Sequence, residues 1–289
     1  MRILVHDYAG HPFQIQLSRQ LAMRGHDVTH AHFTENPGPK GSFDSRPGDP
    51  PSLSFQGITI GKGYDKTSLI TRRFNDVEYG RRAARVVQDL GPDVVISGNT
   101  PTEAQKAIIN ACKTRRIRFV YWLQDFYSIA VTTLLSKKLG VAGAPIGWNY
   151  RRLERGQLRD SDAVVAITDD FVLLASVWAG DKAKVSVIEN WATLEDIQVG
   201  AKDNSWSREH GLHNHFTYVY SGTLGLKHNP NLLIRLARES DQDTRVVVVA
   251  EGVGVTQLKA AAFPALDARV DAIAAARQRA VRQVMARAA

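Results

Sequence analysis

The chain has 289 residues, 44% hydrophobic and 23% charged, which is long enough for two domains with their own cores and excludes a disordered or fibrous protein. Its single cysteine, Cys112, excludes a disulfide framework and a cysteine-rich zinc site. The net charge of +8 asks for an anionic partner, but the pairs Arg81-Arg82, Arg115-Arg116 and Arg151-Arg152 are scattered over helix-like segments. A nucleic-acid binder would gather such residues in one stripe with interleaved aromatics, so a phosphorylated substrate and a membrane surface are expected instead.

Met1-Arg2-Ile3-Leu4-Val5 puts a charge before a short apolar run that His6 and Asp7 interrupt. That is a first strand, too short for the apolar core of a secretory signal. No window reaches the ~18 uncharged apolar residues of a membrane-crossing helix. A helix follows from about Pro12 to Arg24, with Phe13, Leu17 and Leu21 four apart, and Gly25 ends it. Asp27-Val28-Thr29 opens a second strand, and residues 35–57, rich in Pro, Gly, Ser and Asp, read as a long loop. A long helix from about Ser68 to Leu90 leads to the strand at 93–97 and the turn Gly98-Asn99-Thr100-Pro101. Helix 102–113, strand 119–122, a short apolar segment from Phe126 to Leu135, helix 148–159, strand 163–167, helix 170–178 and strand 185–188 continue the alternation. Repeated strand–helix units predict a doubly wound parallel sheet.

Residues 195–215 are polar and irregular, as a linker would be. A second series starts at Tyr218-Val219-Tyr220, passes through helix 229–239 and reaches a strand at 245–250. Beyond about residue 258 the chain is mostly Ala, Arg, Val and Gln, and no further strand is expected there. An amphipathic helix is expected instead, with Val270, Ile273, Val281 and Val284 roughly on one side.

The segment Tyr220-Ser221-Gly222-Thr223-Leu224-Gly225-Leu226-Lys227-His228-Asn229-Pro230 joins a strand end to a helix start through a glycine-containing loop. Free backbone N–H groups at such a helix start suit phosphate, and Lys227 would neutralise a diphosphate. A plain strand-to-helix turn needs small residues there as well.

Tyr218 to Leu233 resembles the first strand–loop–helix of the donor domain in GT-B glycosyltransferases of family 4, nearest the branch that builds bacterial surface polysaccharides. Other segments resemble family landmarks in matching order: Gly10-His11-Pro12 with Arg24-Gly25-His26-Asp27-Val28-Thr29; Pro92-Asp93-Val94-Val95-Ile96; Trp122-Leu123-Gln124-Asp125-Phe126-Tyr127; Val187-Ile188-Glu189-Asn190-Trp191; and Glu251-Gly252-Val253-Gly254. The likeness covers about residues 1–257. It implies an acceptor-binding Rossmann-like domain over 1–194, a linker over 195–215, the start of a nucleotide-sugar domain over 216–257 and a divergent helical tail over 258–289. The expected fold is α/β and GT-B-like, with two doubly wound parallel-sheet domains, the second incomplete.

The implied activity is retaining transfer of a sugar from a nucleoside diphosphate to a hydroxyl of a lipid-linked glycan, in cell-surface polysaccharide synthesis. Asp125 and Lys227 are the expected catalytic residues. Gly222, Thr223, Lys227, Glu251 and Gly252 are expected to hold the donor, and Gly10, His11, Asn99 and Gln124 the acceptor. Asp125 also suits a helix N-cap. The sugar nucleotide is a substrate, and neither a cofactor nor a metal is implied. A cytoplasmic protein peripheral to the inner membrane face is expected, with Lys137-Lys138 toward anionic headgroups. The aromatic segment Arg118–Leu135 suits either a lipid-facing surface or a buried strand and helix, burial being the favoured reading for Phe119 to Trp122. The chain departs from the family in having no pair of glutamates eight apart after the second donor strand, and Gln124-Asp125 stand where a histidine is frequent. The competing expectation is therefore a truncated, catalytically incompetent transferase or a subunit that needs a partner chain. A nicotinamide enzyme is disfavoured, because Tyr8-Ala9-Gly10-His11-Pro12 lacks the Gly-x-Gly-x-x-Gly spacing.

Overall fold

The computed structural model describes residues 1–35, 43–61, 69–192, 200–225, 228–262 and 270–274. The chain divides into two compact units, Met1–Ala192 and Thr193–Ala289.

The first unit is built on parallel strands β1 (Arg2–Asp7), β2 (Asp27–Phe33), β3 (Leu53–Ile58), β4 (Val94–Gly98), β5 (Arg118–Leu123), β6 (Ala163–Ala166) and β7 (Val185–Val187), in the order β3-β2-β1-β4-β5-β6-β7. Helices α1 (Pro12–Met23), α2 (Leu69–Leu90), α3 (Thr102–Arg115), α4 (Tyr127–Leu139), α5 (Ala144–Asp160) and α6 (Val172–Ala179) connect them. The period-two alternation of β1 assigns its side chains to two layers. Ile3 and Val5 share a cluster with Ala22 of α1 and Val28, while Leu4 joins the larger cluster with Tyr79, Ile108, Phe119 and Leu158. His6 and Asp7 continue that alternation. His6 therefore reaches Tyr79 of α2, and both are completely buried.

Chain order along the sheet reverses between β1 and β4. At such a reversal the connections leave in opposite directions, so a crevice opens outside the strands' carboxyl ends. The loops at 8–11 and 99–101 border that crevice.

Strand β3 falls inside the stretch expected to be loop. It buries Leu53 and Ile58 and pairs with β2 over Leu53–Ile58, but Ser54, Gln56 and Gly57 leave it little apolar signal. The apolar segment after β5 is helix α4, joined to α5 by the 3-10 turn Gly140–Gly143. The stretch Tyr127–Asp160 is long and apolar enough by composition to cross a membrane. It is instead a hairpin: Gly140 turns the chain at φ 56°, and a Cβ on Gly147 would lie 2.8 Å from Thr132 Oγ1. The missing side chain at Gly147 is what lets α5 lie against α4.

The second unit has parallel strands β8 (Phe216–Thr223), β9 (Thr244–Glu251) and β10 (Val270–Ala274), in the order β10-β9-β8, with helices α7 (Ser205–Glu209), α8 (Asn231–Glu239) and α9 (Val253–Ala262). Leu224, Ile234, Ala237, Val246, Val248, Ala250 and Leu258 form its main core, while Val247 and Val249 pack with Leu212 on the other face. Within the stretch read as an irregular linker, Asn204 and Ser207 close a capping box that starts α7, with both bonds at 3.0 Å. Within the tail read as helical, Val270–Ala274 instead pairs in parallel with Val246–Ala250. The alternation of Val270-Asp271-Ala272-Ile273-Ala274 is too short to separate strand from helix by period alone. Val281 and Val284 lie outside the described residues.

Candidate functional site

The crevice of the first unit is assembled from four strand ends. After β1 the chain turns at Gly10, whose φ of 83° favours glycine, and its N–H donates to Asp7 Oδ1 at 2.6 Å. That bond aims His11 across to the loop after β4, where Asn99 Nδ2 donates to His11 Nε2 at 2.9 Å. Asn99 itself sits at φ 50°. Burial holds the His11 imidazole below its ordinary pKa, against the pull of Asp7. Its Nε2 is accordingly the bare, accepting nitrogen.

Beneath this pair lies a buried polar chain. Ser97 Oγ donates to Gln105 Oε1 at 2.7 Å, so it accepts from His6 Nδ1 at 2.9 Å. His6 Nε2 is then the acceptor for the Tyr79 hydroxyl at 2.7 Å. Burial drives the His6 pKa down to about 4, which fits the neutral ring this chain requires. The network fixes β1 against β4 and so sets the position of Asn99 two residues past Ser97.

At the end of β5, Gln124 and Asn190 exchange amide bonds: Asn190 Nδ2 donates to Gln124 Oε1 at 2.6 Å, and Gln124 Nε2 returns a longer bond of 3.3 Å. Beside them Trp122 and Trp191 stack at 5.8 Å, and the Phe13 ring meets both edge-on at 5.5 and 6.0 Å. Trp191 Nε1 donates to Gln16 Oε1 at 2.7 Å. Buried polar atoms of four side chains, Gln14 and His30 newly among them, complete the interior of this end. Asp7 Oδ2, both amide atoms of Gln14, His30 Nε2 and Trp122 Nε1 are buried with no hydrogen-bond partner among the described residues. His30 Nε2 stands 3.7 Å from Asp7 Oδ2. Leaving such atoms unpaired costs about 1–3 kcal/mol each, so water or a ligand's polar atoms belong there. Gly98 has no space for a side chain, since a Cβ would lie 3.2 Å from Gln14 Nε2 and 3.1 Å from Trp122 Cβ.

Asp125, the expected catalytic carboxylate, is exposed just past β5 and makes no side-chain hydrogen bond among the described residues. It does not cap α4. The completely buried Glu154 of α5 does, accepting from Tyr127 N at 2.8 Å, Ser128 N at 3.1 Å and Ser128 Oγ at 2.6 Å. Burial raises the Glu154 pKa, these bonds oppose the rise, and the nearby Asp125 charge adds to it.

In the second unit the loops after β8 and β9 are clasped together. Leu224 N donates to Glu251 O and Gly254 N donates to Leu224 O, both at 2.8 Å. Gly252 and Gly254 make this approach possible. A Cβ on Gly252 would lie 2.7 Å from Leu224 O, and its φ is 113°; a Cβ on Gly254 would lie 2.8 Å from the same oxygen. Gly222 and Thr223 pair with Ala250 and Glu251 at the strand ends, so the structure brings Gly222, Thr223, Glu251 and Gly252 to one edge. Asn229 Oδ1 accepts from Asn231 N at 3.1 Å as α8 begins. Lys227 lies outside the described residues.

Gly10, His11, Asn99 and Gln124 are thus gathered at the reversal of the first sheet, with Asp125 at its rim. Sequence reasoning left out Asp7, Gln14, Asn190, Trp122 and Trp191 as site residues. The signal for Asp7 was a carboxylate continuing the inward face of a buried strand. Asn190 and Trp191 stood in a family-like segment, but nothing in the sequence placed them beside Gln124 and Gln16, which are more than sixty residues away along the chain.

A profile of the glycosyl transferase 4-like domain matches residues 14–191. The chain belongs to the glycosyl transferase 4-like family. No curated protein matches it. Among solved structures, HepE of Anabaena, in complex with UDP and glucose, is similar with a TM-score of 0.58 at 14% identity, over 94% of this chain and 68% of that one. Os79 of O. sativa, in complex with UDP, gives 0.56 at 13%, over 96% and 72%. The UDP-N-acetylglucosamine 2-epimerase of Rickettsia bellii gives 0.54 at 10%, over 95% and 69%. At such identities the likeness is one of fold: two Rossmann-like units in the GT-B manner. That an epimerase shares the fold shows that the chemistry must be argued from the site.

Proposed function

We propose that this chain transfers a sugar, with retained anomeric configuration, from a nucleoside-diphosphate sugar to a hydroxyl of a lipid-linked glycan in cell-surface polysaccharide synthesis. The observation that carries the reading is the crevice at the β1/β4 reversal. There the Asn99–His11 and Gln124–Asn190 pairs surround the rings of Phe13, Trp122 and Trp191. Planar amides and an imidazole suit the vicinal hydroxyls of a sugar, and aromatic faces suit its C–H surface. Asp125 at the rim would orient the acceptor hydroxyl or stabilise positive charge on the transferring sugar.

The second unit supports the donor half. Its clasped loops bring Gly222, Thr223, Glu251 and Gly252 to one edge, and the positive end of the α8 dipole favours a diphosphate there. Lys227, in the same loop by sequence, would neutralise the departing diphosphate, commonly a large electrostatic contribution to such transfers. HepE and Os79 were each solved with UDP, which supports a uridine nucleotide as the first donor to try.

A second reading is favoured by one fact of sequence: no glutamate follows Glu251, so the family's spaced pair has no counterpart here. In that reading the chain binds a nucleotide without transferring its sugar. Release of nucleoside diphosphate from UDP- and GDP-sugars, with and without simple glycoside and polyprenyl-linked acceptors, separates the two. The transferase reading expects release that depends on acceptor and a glycoside with unchanged anomeric configuration. Nucleotide binding with no release for any pair would replace it with the second reading.

A further inference from the structure

From Phe126 to Leu153 the chain contains no acidic residue, while Lys137, Lys138, Arg151 and Arg152 fall within it and are exposed. None of these four joins an ion pair among the described residues. The same stretch leaves large apolar side chains in water: Val141 is 90% exposed, Trp148 66%, Leu139 50% and Ile146 44%. Their placement is specific. Glu154 caps the first turn of α4, so position 154 of α5 is level with the start of α4, at the carboxyl end of β5. Ten residues separate Glu154 from Ala144, which at 1.5 Å per residue carries the turn about 15 Å beyond that level. Tyr150 donates to Glu103 in the first turn of α3, which leaves the residues before it outside the body of the unit. The tip thus projects from the same edge of the sheet that carries the crevice.

We propose that the α4–α5 hairpin tip is a docking surface for an anionic membrane. Leu139, Val141, Ile146 and Trp148 enter the boundary between headgroups and acyl chains, and Lys137, Lys138, Arg151 and Arg152 meet the phosphates. Arg152 lies 5.8 Å over the Trp148 ring, which pairs a cation with an indole as an interfacial anchor requires. Apolar bulk alone would fit a protein partner equally well; the run of unpaired cations without a single acid selects anionic lipid. Docking in this way would bring the crevice toward the bilayer surface, so the inference deepens the lipid-linked reading of the acceptor. Reading it without donor or glycan keeps its failure distinct from failure of transfer.

The test is co-sedimentation of the full chain with phosphatidylcholine vesicles that contain or lack phosphatidylglycerol. Binding is expected only with phosphatidylglycerol, and is expected to weaken as salt is raised. Val141→Glu with Trp148→Glu, and separately Lys137→Glu with Lys138→Glu, should each weaken it about tenfold or more, by removing apolar insertion or surface attraction. Leu173→Glu, at a site 79% exposed on α6, should leave it unchanged. All variants are compared at matched thermal stability, which screens out misfolding. Equal binding to both vesicle types, no binding to either, or equal loss in the Leu173 variant would overturn the proposal. So would a vesicle-free dimer that the Val141/Trp148 variant dissolves, since a second copy would then be what covers the tip.

Discussion

His6 is the residue whose environment makes the sharpest demand. Its folded pKa is depressed from 6.5 to about 4, so the folded state prefers the neutral ring more strongly than the unfolded chain does. The stability this represents is present above pH 6.5 and is lost as pH falls through 4. Converted at 1.36 kcal/mol per pH unit, it amounts to about 3 kcal/mol. His6→Gln should keep a donor toward Ser97 and an acceptor for Tyr79 while removing the titration. Urea unfolding between pH 7 and 4 should therefore be flatter in the variant, and an equal slope in both proteins would mean that His6 is not the titrating group. Asn190→Ala removes one half of an amide pair at the crevice rim. It should raise the acceptor KM about tenfold, the loss of a hydrogen bond worth roughly 1.4 kcal/mol, and leave the donor KM unchanged. Sequence made Gln124, His11, Asn99 and Gly10 legible as residues at strand ends. It could not show that Gln14 of α1 turns inward beside Trp122, because a buried glutamine among apolar neighbours leaves no mark in a periodic pattern.

Among the elements, α4 was the hardest to read. Its 13 residues lack an N-capping side chain of their own, and the cap comes from Glu154, 26 and 27 residues downstream of the amides it receives. Asp125 stands in the sequence position for a cap, yet the tertiary partner takes the role. Glu154→Ala would strand two backbone N–H groups and a hydroxyl around a new cavity, and should cost about 3 kcal/mol of unfolding free energy, measured by denaturant titration. An effect within the error of the titration would show that water replaces the carboxylate at no cost. Strands β1, β4, β5 and β6 were evident as apolar runs, being buried on both faces as parallel strands are, whereas β2, with two histidines inside it, was marked only by its start at Asp27-Val28-Thr29. Strand β3 was not, since an edge strand with one covered face carries only Leu53 and Ile58 as apolar anchors. Strand β10 escaped for a related reason: alanine-rich sequence has no strong period.

On the scale of the whole molecule, the succession of strand–helix units in two series fixed the class of fold, and ordered motifs along most of the chain fixed the family. The division of labour is the finer claim: the first unit offers the acceptor crevice and the second the clasp of loops for a nucleotide. The family match covers residues 14–191 and so says nothing of that clasp. Its test is calorimetric titration of the full chain with UDP, GDP and ADP, repeated on Gly252→Ala. In that variant the Cβ would sit 2.7 Å from Leu224 O, on a backbone that disfavours any side chain. Saturable binding of one nucleotide in the native chain, weakened about tenfold or more in the variant with the melting of the first unit unchanged, is what a donor clasp predicts; strain of 1–3 kcal/mol at such a position gives that factor. Absence of binding to all three nucleotides, or equal binding in Gly252→Ala, would contradict it.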